Sequence, residues 1–191
     1  MRIRPVFLGL GLAVAMSGGV GRLAAAPAQI IFLRHAEKPA TGSELNERGR
    51  QRAQALVGLF ANDPRTREHG VPVAIYAGAP AKAGGSVRSI ETIQPTGLAL
   101  KIAVDTHITR DEIDALVRAI MEAPAYEGKT VIVCWEHKKI PEMLKAFGWS
   151  AGPGRWDDAV FDRLWLLDFA QGKPVRFRDL PQTILPGDSK I

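Results

Sequence analysis

Three stretches of the chain are apolar without a break, at residues 30–33, 73–77 and 131–135, and each stops abruptly at small or polar residues. Runs of four or five residues this rich in branched side chains predict strands buried on both faces, as in parallel sheets. Between them the apolar positions recur at helical spacing. Asn46 stands as a cap before a helix over 47–61, whose inward face is Ala53, Leu56, Val57 and Phe60. A helix over 87–100 follows the second strand's loop, with Pro95 as a kink point. Thr109 and Glu112 have capping-box spacing and open a helix carrying Ile113, Leu116, Val117, Ile120 and Met121 on one face, closed at Pro124. Pro141 begins a short helix that Gly148 ends. A fourth strand is predicted over 162–169, with 175–177 as its edge partner. The last dozen residues, including Pro181 and Pro186, read as a loose tail.

Strands alternating with amphipathic helices predict an α/β fold, a three-layer α/β/α sandwich around a mostly parallel sheet. The 191 residues suffice for one such domain. The first 28 residues belong to a different class. Arg2 and Arg4 precede an apolar, small-residue stretch at 6–20, and Ala24, Ala25, Ala26 and Ala28 offer small residues for cleavage. That pattern predicts a signal peptide over 1–28, a folded domain over 29–191, and a periplasmic or secreted protein. The stretch is short and interrupted by Gly9, Gly11, Gly18 and Gly19, which disfavours a retained membrane anchor. No stable membrane association is expected after cleavage.

Charge changes the picture little. Three of the 25 basic residues, Arg2, Arg4 and Arg22, lie in the acid-free leader, so 22 basic residues face 20 acidic ones downstream. That balance leaves no footprint for nucleic acid. Cys134 is the single cysteine and sits within an apolar run, where it reads as a core residue.

Candidate chemistry gathers at strand ends. His35 follows the first run and His137 the third. Arg88 opens the helix after the second, and Arg34 completes a set of two guanidiniums and two imidazoles. Parallel strands share direction, so all four are expected on the carboxyl edge of the sheet, where open α/β sheets bind ligands. Arginine forks suit phosphate oxygens, and an imidazole can serve as a nucleophile near neutral pH. Lys38 is a further anion contact in the loop after His35. His69 and His107 match no pattern and read as surface histidines. No His or carboxylate pair has metal-ligand spacing on one helix, and two arginines would repel a cation, so neither metal nor cofactor is expected.

These residues carry a resemblance. Arg34-His35-Ala36-Glu37 with Leu45-Asn46-Glu47-Arg48-Gly49, then Arg88-Ser89-Ile90-Glu91-Thr92, and His137 after Val131-Ile132-Val133, resemble the histidine phosphatase superfamily. The resemblance implies a phosphoglycerate mutase-like fold without a large cap domain. It implies that His35 takes the phosphoryl group as phosphohistidine, that Arg34 and Arg88 hold its oxygens, and that His137 donates a further hydrogen bond. The expected activity is a metal-independent phosphohydrolase acting on a phosphomonoester or a phosphohistidine, in a small molecule or a phosphoprotein. The alternative is a non-catalytic member that binds phospholigands. Many relatives also carry an acid that protonates the leaving oxygen. Glu136, Asp111 and Glu112 compete for that role with the option of no dedicated acid. Glu136 has the objection that a neighbour of His137 on an extended strand would point away from it.

Overall fold

A computed structural model describes residues 26–190. The signal-peptide reading therefore lies outside the described residues except at its last three positions, and those join the domain. Gly128 N donates to Ala26 O at 3.1 Å, Ala28 N donates to Lys129 O, and Phe169 N donates to Ala28 O.

The three apolar runs form strands β1 (Gln29–Arg34), β2 (Ala74–Ala77) and β4 (Thr130–Trp135). A two-residue strand, β3 (Val104–Asp105), lies beside β2 and was too short to show any periodicity. β5 (Arg163–Ala170) and β6 (Lys173–Pro181) complete a six-stranded sheet in the order β3-β2-β4-β1-β5-β6. The first four are mutually parallel, and β5 and β6 are antiparallel additions. Among the described residues four α-helices cover the sheet: α1 (Glu47–Asn62), α2 (Arg88–Leu100), α3 (Ile113–Met121) and α4 (Ile140–Ala146). Among the described residues no helix is long and apolar enough to cross a membrane.

The unbroken apolar runs have a direct explanation. Ile30 and Phe32 of β1, with Val131 and Val133 of β4, pack in one core with Leu116 of α3 and Met143 and Leu144 of α4. Ile31 and Leu33, with Ile132 and Cys134, pack in a second core with Leu56 and Phe60 of α1 and Ile93 of α2. Helices on both faces leave alternate residues of these strands equally dry. Cys134 is fully buried, and burial pushes its thiol up out of the titrating range.

Four details depart from the sequence reading. Val57 is only half-buried, while Arg52 and Leu59 join the inward face of α1. α2 runs through Pro95 as one helix. α3 starts at Ile113, because Glu112 accepts from both the backbone N and the hydroxyl of Thr109 while the intervening residues form a turn. Most consequentially, the tail is not loose. Arg52 is 2% exposed and donates to Glu37, to Asp188 and to the Gln182 side chain. Asp188 also accepts from the backbone N atoms of Ile184 and Leu185. Burial alone would depress the Arg52 pKa, but these carboxylates outweigh it and raise it. The buried charge of α1 recruits the tail as its counter-charge, a requirement no turn-residue count reveals.

Candidate active site

His35 is the first residue beyond β1, held by its N donating to Trp135 O at 3.1 Å as if the β1–β4 ladder ran one step further. The following loop is clamped from two sides. Ala36 N donates to the Thr92 hydroxyl of α2 at 2.8 Å, and Glu37 is gripped by Arg52 of α1. Asn46 caps α1 by accepting from Gly49 N, while its own N donates to Glu37 O. Gly49 is required by that closeness: a Cβ there would lie 2.2 Å from Glu37 O. The Leu45–Gly49 segment of the motif thus brings α1 against the loop that bears His35.

The His35 ring is 5% exposed, and its Nδ1 lies 2.8 Å from Ala36 O. A carbonyl only accepts, so Nδ1 carries the proton and Nε2 of the neutral ring keeps its lone pair. Burial lowers the His35 pKa to about 4; the charges of Arg34 and Arg88 and the His137 ring push the same way, against the Ala36 carbonyl. The imidazole is therefore neutral at pH 7.

His35 opens onto a cavity of about 480 Å³ lined also by Lys38, Arg88, Glu136, His137 and the loop after β2. The His35 and His137 ring centres stand 6.2 Å apart. Arg88 lines the cavity while its Nε donates to Glu44 O at 3.2 Å and its Nη2 to Gly42 O. Glu136 and His137 both line the cavity, which answers the alternation objection. β4 ends at Trp135, and Lys139 N donates to Glu136 O in a turn, so strand geometry no longer governs the pair. Asp111 and Glu112 do not line it: Asp111 pairs with Arg110 and Lys139, and Glu112 is held by Thr109. Glu136 in turn pairs with Arg110 at 3.2 Å.

Arg34 is placed differently. It is 1% exposed and lies outside the cavity lining. Its Nη1 donates to the carbonyls of Asp157, Asp158 and Val160 at 2.9–3.1 Å, and its guanidinium lies 3.9 Å above the Phe161 ring centre. Burial lowers its pKa to about 10, against the pull of Asp158, so it stays cationic at pH 7.

The same loop supplies a residue that the sequence did not single out. Asp158 Oδ1 accepts from His137 Nε2 at 2.8 Å, while His137 Nδ1 is buried with no partner. Burial and Arg34 lower the His137 pKa, and Asp158 opposes them. Nothing in the run Trp156-Asp157-Asp158 distinguishes one aspartate from the other; only the folding of this loop over the strand ends does. His107 is exposed beside Asp105. His69 lies with Glu68 and Asp168 in a group of metal-ligand types, but both carboxylates already pair with Arg176 and Arg178.

No protein-family model matches the sequence, and no curated protein aligns with it significantly. Solved structures do match the fold. The protein histidine phosphatase SixA, in complex with tungstate, superposes with a TM-score of 0.57 at 12% identity, over 81% of this chain and 97% of its own. A mycobacterial glucosyl-3-phosphoglycerate phosphatase gives 0.52 at 14% identity, over 81% and 97%. A phosphoglycerate mutase from Bacillus anthracis gives 0.52 at 13% identity, over 80% and 92%. The chain has the phosphoglycerate mutase-like α/β fold, and the likeness read from its motifs extends to the architecture of some four-fifths of its length.

Proposed function

We propose that the chain is a histidine phosphatase, a phosphohydrolase that forms phosphohistidine at His35 without a metal ion. The observation that carries the reading is the neutral His35 ring, with Nδ1–H tied to Ala36 O and the Nε2 lone pair available, in a cavity shared with Arg88 and His137. Its likeness in fold to two phosphatases and a mutase supports the same class of chemistry.

Nε2 attacks phosphorus, the bond to the leaving oxygen breaks, and that oxygen takes a proton. Water then attacks the phosphohistidine, phosphate leaves, and the ring returns to its neutral form. Phosphoryl transfer asks the protein mainly for position and charge. Arg88, which lines the cavity, and Arg34 supply the positive charge for the phosphoryl oxygens; Arg34 Nη1 also holds the loop that carries Asp158, while its Nε has no partner. The leader-like composition of residues 1–28 supports an activity outside the cytoplasm.

The test is metal-free hydrolysis of an aryl phosphate in the presence of chelator, with acid-labile phosphate trapped on His35. Inhibition by chelator alone, or label on another residue, would overturn the reading. Of the carboxyl groups weighed as the acid, Glu136 is the one that lines the cavity, which supports it in that role. Glu136→Gln is expected to slow an alkyl phosphate by about 10²-fold and an aryl phosphate far less, since a good leaving group needs little help. Equal effects on both substrates would remove Glu136 from that role.

A further inference from the structure

The cavity holds more positive charge than one phosphoryl group requires. Beyond Arg88, its lining includes Lys38, Lys82, Arg110 and Lys138, against the single carboxylate of Glu136. Arg110 is neutralised, paired with Glu136 and Asp111. The three lysines are exposed, and among the described residues none of them forms an ion pair. Neighbouring Lys139, by contrast, pairs with both Asp111 and Glu142. Lys138 lends positive potential to Asp158 without pairing with it, and all three lysines lie around one mouth.

Their origin in the chain gives the arrangement. Lys38 follows β1, Lys82 follows β2 and Lys138 follows β4, and these three strands are adjacent in the sheet in the order β2-β4-β1. Each crossover loop on that edge contributes one lysine to the lining of one cavity. Gly78, Ala79, Pro80 and Ala81 line it too, and their short side chains leave room for a spacer. A volume of about 480 Å³ falls within the range of small-molecule sites, about 300–1,000 Å³.

We infer that Lys38, Lys82 and Lys138 form a second anion subsite, and that the substrate is a small molecule carrying two phosphate groups, one held for transfer and one for recognition. This rests on the phosphatase reading of the same cavity. Three ammonium groups without a guanidinium fork suit a compact dianion better than a planar carboxylate.

The experiment compares fructose 1,6-bisphosphate with fructose 6-phosphate, and 3-phosphoglycerate as the carboxylate arm, in both kcat/KM and calorimetric Kd. The bisphosphate is expected to be preferred by about tenfold or more. The preference should shrink in 1 M salt, where charge interactions reach only about 3 Å. In Lys82→Gln/Lys138→Gln the ratio of bisphosphate to monophosphate should fall towards one in both measurements. Equal binding of the two sugars by the wild type, a ratio unchanged in the double variant, or preference for 3-phosphoglycerate would overturn the inference. Binding keeps the outcomes separate. Preference in Kd without turnover of any phosphate ester would sink the phosphatase reading and leave the second subsite standing.

Discussion

His35→Ala is expected to reduce kcat/KM for an aryl phosphate by about 10⁴-fold or more, the scale on which covalent enzymes respond to loss of the nucleophile. The structure gives the expectation a pH signature. Burial and the neighbouring positive charges lower the His35 pKa to about 4, so the ring is already neutral across the physiological range. The kcat/KM profile of the free enzyme should therefore show its nucleophile limb near pH 4. An inflection near 6.5 that disappears in the variant would contradict the environment described for the ring. The same shift acts on stability, with a definite sign. The unfolded ring binds its proton near 6.5 and the folded ring near 4, so the unfolded state binds more protons in between. This contribution is complete above 6.5 and is lost as pH falls from 6.5 towards 4, on the order of 3 kcal/mol. His35→Ala should lose less stability than the wild type over that window, measured by urea unfolding at pH 7 and pH 4.5. A variant that is inactive yet more acid-tolerant also excludes misfolding as the cause of the lost activity.

The parts of this site that were legible in the sequence are those fixed by strand ends. A buried parallel strand is an unbroken apolar run, and the first residues beyond it fall on the ligand-binding edge; His35, Arg88, His137 and Lys38 all follow from that, and all line the cavity. The parts that were not legible depend on where an irregular loop folds back. The 149–162 loop carries no periodicity, yet its carbonyls take up Arg34 Nη1 and its Asp158 reaches His137. Arg34 is expected as a second phosphate clamp because residues at strand ends face the ligand. Its Nη1 is taken up by three carbonyls over the Phe161 ring, which no sequence pattern announces, while its buried Nε has no partner. The tail shows the same limit. Pro181 and Pro186 suggested a loose end, but the buried charge of Arg52 decides the matter through Asp188 and Gln182. The unusual feature was legible all along in α1, as an arginine directly before Ala53 on an otherwise apolar face. What it lacked was a visible partner.

His137→Ala is expected to lower kcat by about 10²–10³-fold with a smaller change in KM, the cost of removing one donor that meets charge developing in the transition state. The role depends on protonation. With Nε2 given to Asp158, Nδ1 is the ring nitrogen left for a phosphoryl oxygen in the proposed reaction, and it carries hydrogen only in the imidazolium form. Burial and Arg34 oppose that form, while Asp158 and an arriving phosphate dianion favour it. Glu136 favours it too, so Asp158→Asn removes one of three favourable charges, and its expected effect is about tenfold in kcat with the alkaline limb of the profile moved to lower pH. That shift separates a positioning role from a merely structural one, because a loosened loop would lower kcat without moving the limb. The opposite result would also be informative. If Asp158→Asn turned over faster than the wild type, Asp158 would be competing with substrate for His137, and the loop anchored on Arg34 would have to lift before each turnover.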